Sequence, residues 1–303
     1  MNSNGTSWSR ASVDRTSFQE SIPDIVLELT LQRAEYRTNG WLVAAQILHN
    51  DAVPRWPRLA AALLLVATTA SAQFDAPGRR YPTNLTYDGR FTFTRLRWQS
   101  GGRFSRGSWS TAWDHDYPKA EQNVSQILKE ISLLDIRTDG SRILTLDDPD
   151  LFKYPIAFMW EPGFWANLSD REAESFRAYL LKGGFAVFED FDGRDQWDNF
   201  EAQMRRVLPD GRFVKLDNAH QIFNAFFEIH DINAIVHPMS HIRPSYYGVY
   251  EDNDPSKRLM VVANYDNDVP EYWEWSGQGL FPFDASNEAY KLGVNYMIYG
   301  LTH

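Results

Sequence analysis

Ser169–Glu189 reads SDREAESFRAYLLKGGFAVFE, and the order of signals in it decides the fold. Ser169, followed three residues later by Glu172, is a capping box in which hydroxyl and carboxylate satisfy the free amides of a helix start. Phe176, Tyr179 and Leu180 then recur at helical spacing and give that helix one apolar face. Gly183-Gly184 supplies a left-handed exit that a Cβ would hinder. Phe185–Glu189 (FAVFE) follows as a mostly buried strand. A helix handing over to an apolar strand through a two-glycine turn is the unit from which mainly parallel sheets covered on both faces are built.

The same alternation extends outward. Upstream, Phe91–Trp98 (FTFTRLRW) reads as a strand, 118–133 as a helix with Pro118 in its first turn, and RILTL at 142–146 and PIAFMW at 155–160 as short strands. Downstream come a helix near 196–208, the turn Pro209-Asp210-Gly211 and a strand at 213–216. A β-hairpin pairing 246–251 with 258–264 and a C-terminal helix over 287–299 close the chain. The expected fold is an α/β three-layer sandwich with a mainly parallel sheet, a late β-hairpin and a C-terminal helix.

Composition removes several functions. The chain has 303 residues, 40 acidic against 30 basic, and a net charge of -10. With no cluster of Lys and Arg, it lacks the basic footprint that nucleic acid or an anionic membrane requires. Hydrophobic residues at 43% and charged residues at 23% are globular proportions, which excludes wholesale disorder. Zero cysteine excludes disulfides, a thiol nucleophile, thiolate zinc and iron–sulfur sites. No G-x-S-x-G, P-loop or G-x-G-x-x-G sequence is present.

The first 72 residues differ in kind. Arg55, Pro57 and Arg58 precede the apolar run Leu59–Ala67 (LAAALLLVA), and Ala70-Ser71-Ala72 comes after it. That is the order of a secretory signal, with cleavage expected between Ala72 and Gln73. The run is short of the roughly 20 residues a membrane span needs, so a mature span is expected only if the signal stays uncleaved. Residues 1–52 read as a non-domain extension, residues 53–72 as the signal and residues 73–303 as a single α/β domain. No methionine lies between Met1 and Met159, and initiation at a codon such as that of Val53 would bring the signal to an N-terminus. Six basic and six acidic residues lie before Gln73, so the whole net charge belongs to residues 73–303. The expected location is exported, periplasmic or secreted.

An ordered series of motifs resembles a known family. These are FTFTRLRW at 91–98, WDHDYP at 113–118, DPDLFKYP at 148–155, Leu168-Ser169, YLLKGGF at 179–185 and Glu189-Asp190. Together they resemble the bacterial domain of unknown function 4159, over most of the segment from Phe91 to Leu301. The resemblance implies an amidotransferase-like or flavodoxin-like α/β sandwich in exported or membrane-associated proteins, and no activity. Catalytic amidotransferase-like proteins carry a nucleophilic cysteine at a strand-to-helix elbow. Here the strand ending at Trp160 runs into Glu161-Pro162-Gly163, so glutaminase chemistry does not carry over.

Ligands of parallel α/β sheets bind beyond the carboxyl ends of the strands. Six acids fall within 13 residues at one such end: Glu189, Asp190, Asp192, Asp195, Asp198 and Glu201. Such carboxylates suit a divalent cation or an acid/base pair, while Asp192 or Asp195 is equally a cap for the next helix. Glu161 occupies a comparable strand end. The candidates for catalysis are Glu161, Asp190, Asp192 and His220, and those for ligand contact are Glu189, Asp195, Trp165, Trp273 and Trp275. In Tyr272–Trp275 an alternating pattern would leave at least one ring outward. Asp114-His115-Asp116 is compatible with a His–carboxylate pair, or with Asp116 as a helix cap. His237 and His241 are separated by Pro238, which opposes a helical ligand pair. No metal ligand set is singled out, and a divalent cation is the only cofactor the acids suggest.

Two functions are compatible with these residues. The one the sequence favours is a non-catalytic binding or assembly domain of the bacterial envelope, with an envelope protein or glycan as partner. The other is an envelope hydrolase acting on glycan or peptide through paired carboxylates or a carboxylate-bound metal. A hydrolase requires at least two of Glu161, Asp190, Asp192 and His220 to converge with shifted pKa values. A binding module predicts capped, outward-facing acids and an exposed aromatic patch.

Overall fold

The computed structural model describes residues 84–100 and 112–303. The expected extension over 1–52, the expected signal over 53–72 and its expected cleavage position lie outside the described residues. Seven strands form the main sheet: β1 (Thr94–Leu96), β3 (Arg142–Leu144), β4 (Ile156–Trp160), β6 (Phe185–Phe191), β7 (Val214–Lys215), β8 (Ser245–Tyr250) and β9 (Leu259–Tyr265). Their order is β3-β1-β4-β6-β9-β8-β7. The first five are parallel, and β8 and β7 complete the sheet in antiparallel pairings. A small antiparallel pair, β2 (Gln99–Ser100) with β5 (Trp165–Ala166), stands apart.

Period-two alternation divides the sheet between two cores. Ile156, Phe158 and Trp160 of β4 and Phe185 and Val187 of β6 face one layer of helices: α1 (Lys119–Ile131), α4 (Val269–Glu274) and α5 (Phe283–Thr302). Ala157, Met159, Ala186 and Phe188 face the other, α2 (Asp170–Leu181) and α3 (Gly193–Val207). The architecture is thus the expected three-layer α/β sandwich. The late hairpin is present as β8–β9, and β9 also pairs with β6, so the hairpin extends the central sheet. No helix among the described residues is long and apolar enough to cross a membrane.

The deciding stretch folds as its signals require. Ser169 Oγ accepts the Glu172 amide at 3.2 Å, and the Glu172 carboxylate accepts the Ser169 amide at 2.9 Å. Gly183 leaves α2 at φ 114°. Gly184 lies so close to the Tyr179 ring that a Cβ would come within 2.5 Å of it.

Three local expectations shift. The strand at 91–98 is regular only over Thr94–Leu96, and α3 begins at Gly193 rather than near 196. Tyr272–Trp275 is not an alternating strand but the end of α4, whose Pro270 and Asp268 cap set helical geometry. Helical spacing there turns Tyr272 and Trp273 inward together.

Candidate functional site

The carboxyl ends of β4, β6 and β9 carry Glu161, Glu189-Asp190 and Asp266–Asp268 respectively. Backbone geometry aims these acids. Glu161 (φ 51°), Asp190 (φ 62°) and Asp266 (φ 57°) all adopt the left-handed conformation, as does Asp116 (φ 60°). Such conformations are uncommon away from glycine and concentrate at functional sites. Between Phe188 and Phe191 the β6–β9 register shifts by one residue. The extra residue takes Asp190 out of simple alternation, so that it joins groups carried by the α1 and α4 side of the sheet.

The Trp113–Pro118 segment supplies the other wall. Arg95, wholly buried in β1, donates to the carbonyls of Trp113 (3.0 Å) and His115 (2.8 Å) and clamps Glu121 with two bonds of 2.8 and 2.9 Å. Its guanidinium lies 4.0 Å from the centre of the Trp160 ring. The Trp160 indole donates to Asp116 Oδ2 at 3.0 Å. Asp116 is therefore held from below and its backbone from behind.

His115 Nδ1 lies 2.7 Å from Asp190 Oδ2 and 3.6 Å from Asp116 Oδ1. The histidine side chain is 48% exposed, which places it at the rim of the cluster. Asp268 Oδ1 caps α4 by accepting the Glu271 amide at 3.1 Å, and α4 presents Glu271 and Glu274 toward Asp116. Ligand atoms of His115, Asp116 and Glu271 lie within 4.8 Å of one another, and so do those of His115, Asp190 and Asp268. These acidic and histidine groups could hold a metal ion.

So many acids around one imidazole distort proton affinities. Burial first, and then neighbouring negative charge, pushes Glu161, Glu189 and Asp268 well above the ordinary carboxyl range, with Asp190 the largest charge acting on each. Burial and the Asp116 charge raise Glu271 to about 8. Burial likewise raises Asp116, to about 6, although His115 opposes it, and it raises Glu274 against the opposing Lys119 charge. The Asp116 charge, then Asp190, lifts His115 against the desolvation that would lower it.

Among the sequence candidates, Glu161 and Asp190 meet in this cluster, with Asp192 at its edge. Asp192 flanks α3 without capping it by its side chain and instead exchanges hydrogen bonds with Gln196. Glu189 is 0% exposed and faces inward, accepting from the Asn264 amide, whose carbonyl oxygen accepts from the Tyr296 hydroxyl at 2.7 Å. It has no surface for a ligand.

His220 does not join the site. It caps a short 3-10 turn by accepting the Ile222 amide and packs against Tyr250, which pairs with Leu259 at the start of β9. It therefore lies at the opposite end of the sheet, where burial lowers its pKa. Asp195 is exposed in the first turn of α3. Trp165 and Trp273 are core residues, 1% and 0% exposed, because large rings at these positions fill the helix–sheet interfaces. Trp275 alone stays half-buried, with Lys119 Nζ 5.4 Å from its ring centre. No aromatic binding platform is formed by the three tryptophans together.

The sequence reading missed Asp268, Glu271 and Glu274. The signal was Asp266-Asn267-Asp268 directly after the hairpin's second strand, a second acidic strand exit like Glu189-Asp190. Recognising it needed the knowledge that β9 lies beside β6.

A family model described as "Domain of unknown function (DUF4159)" matches residues 92–301. No curated protein matches the chain.

Proposed function

The chain belongs to the DUF4159 family, and since that description names no activity, we propose from the chain's own groups that it is an exported hydrolase of the bacterial envelope. Its reaction is acid/base cleavage of a glycan or peptide bond at the carboxyl ends of β4 and β6. The observation that carries this reading is the meeting of Glu161 and Asp190 beside the half-exposed His115. Burial and the Asp190 charge keep a proton on Glu161. Asp190 is oriented by the imidazole at 2.7 Å. A buried acid whose proton affinity is raised, beside a second acid in a different environment, is the arrangement that general acid/base hydrolysis uses. Glu161 would protonate the leaving group while Asp190, oriented by His115, takes a proton from the attacking water. Neighbouring groups of the same cluster, His115 with Asp116 and Glu271 or with Asp190 and Asp268, suit a divalent cation as cofactor.

Convergence favours this over the binding or assembly role: acids that only capped helices would point outward and apart. Export rests on the sequence of 53–72, with N-terminal sequencing of the protein from its own host expected to begin at Gln73. For the reaction, the full chain is incubated with envelope glycan fragments and with peptides, with and without divalent cations. Turnover of one class is expected, falling about 10²–10⁴-fold in Glu161→Gln and Asp190→Asn. No turnover of either class by the wild type sinks the proposal.

A further inference from the structure

We propose that His115, Asp116 and Glu271 form a site for a single first-row divalent cation, with Asp190 orienting the imidazole and the Trp160 indole orienting Asp116. The three donors come from the Trp113–Pro118 segment and from α4, two elements joined only by tertiary packing, and their ligand atoms already lie within 4.8 Å of one another. Donors around such a cation sit about 2.0–2.2 Å from it and hence roughly 3 Å apart, so only small side-chain movements separate the present arrangement from a coordinated one.

A second observation is independent of that clustering. The Asp116 side chain is 0% exposed, and its two oxygens are treated differently. Oδ2 accepts from Trp160, whereas no N–H or hydroxyl donates to Oδ1, which lies 3.6 Å from His115 Nδ1. The carboxyls of Glu271 and Glu274 come within hydrogen-bonding reach of the same side chain, a contact between carboxyls that requires either a shared proton or a cation. A buried carboxyl oxygen that receives no N–H or hydroxyl and has other carboxyls against it is an exception that native proteins rarely carry without a reason, and a cation there supplies one.

The alternative set, His115 with Asp190 and Asp268, is already engaged. Asp190 Oδ2 holds His115 Nδ1, which leaves Nε2 as the nitrogen that would ligate the cation, and Asp268 Oδ1 caps α4. The assembly therefore divides into ligands and the groups that aim them, the division seen wherever a carboxylate fixes a ligating histidine. One imidazole with two carboxylates suits Zn²⁺, Mn²⁺ or Fe²⁺ better than Ca²⁺ or Mg²⁺, which prefer oxygen alone.

Binding is read without substrate, so it stands or falls separately from the hydrolytic reading that shares the site. The full chain, stripped with EDTA and dialysed, is titrated with Mn²⁺ and Zn²⁺, and with Ca²⁺ and Mg²⁺ for comparison, by calorimetry and, for Mn²⁺, by electron paramagnetic resonance. One saturable equivalent of Mn²⁺ or Zn²⁺ is expected, with weaker Ca²⁺ and Mg²⁺ binding. The thermal midpoint should rise by about 5–10 °C at one hundred times the Kd. Asp116→Asn and Glu271→Gln should each weaken binding at least tenfold, and Asp210→Asn, at an exposed turn position, should not. Glu271 is only half-buried, so its variant keeps the test open if Asp116→Asn fails to fold. Wild-type protein without saturable binding, or Glu271→Gln protein that binds as wild type does, overturns the assignment.

Discussion

Replacing Glu189 with Gln should change how stability depends on pH, in a direction the structure dictates. Glu189 is wholly buried beside Asn264, and its Oε2 has no hydrogen-bond partner. Burial, then the Asp190 charge, holds its folded-state pKa well above the ordinary 4.5. A carboxyl raised in this way contributes stability that is fully present below the unfolded pKa and is lost as pH rises through the folded one. Above 4.5 the folded protein keeps a proton that the unfolded chain releases, and stability falls by up to about 1.4 kcal/mol per pH unit. Glutamine preserves the shape and the acceptor for Asn264 but cannot titrate. Relative to wild type, Glu189→Gln should gain up to about 2.7 kcal/mol over any two pH units between 4.5 and the folded pKa. For a domain of this size that is a thermal shift of about 5–11 °C. Urea and thermal unfolding of both proteins across pH in the presence of EDTA measure the difference, because the neighbouring acids titrate in both and cancel. Parallel pH curves for the two proteins would refute the reasoning, since they would mean that Glu189 is not held neutral by the fold.

Two other perturbations test the scaffold. Arg95→Met leaves the buried Glu121 without its partner and frees the carbonyls of Trp113 and His115, so a loss of about 3–5 kcal/mol is expected in urea unfolding; the double variant with Glu121→Leu should lose less than the single one. Ser169→Ala removes the cap of α2 and should cost about 1 kcal/mol by the same measurement, with the site's chemistry unchanged because α2 lies on the other face of the sheet.

Local chemistry made much of this protein legible from its residues alone. The capping box at Ser169, the glycine exit at 183–184 and the apolar strands at 156–160 and 185–189 each act within a few neighbours, and so did the alternation that implied a parallel sheet. The carboxyl ends of those strands could be named as the place to search, and Glu161 and Asp190 were found there. Absent cysteine could likewise close off thiol chemistry without any structure.

Tertiary structure alone decided which acids share a space. The bulge that turns Asp190, the pairing of β9 with β6, and the placement of α4 over the Trp113–Pro118 segment bring together residues up to 159 positions apart, from His115 to Glu274. The position of His220 at the other end of the sheet and the burial of Trp165 and Trp273 have the same origin: a side chain's exposure depends on what packs over it, and that partner is distant in sequence. The proton affinities have the same origin, because burial and mutual charge exist only once the strands are side by side. Sequence periodicity reports the faces of single elements; the cluster arises from how those faces meet.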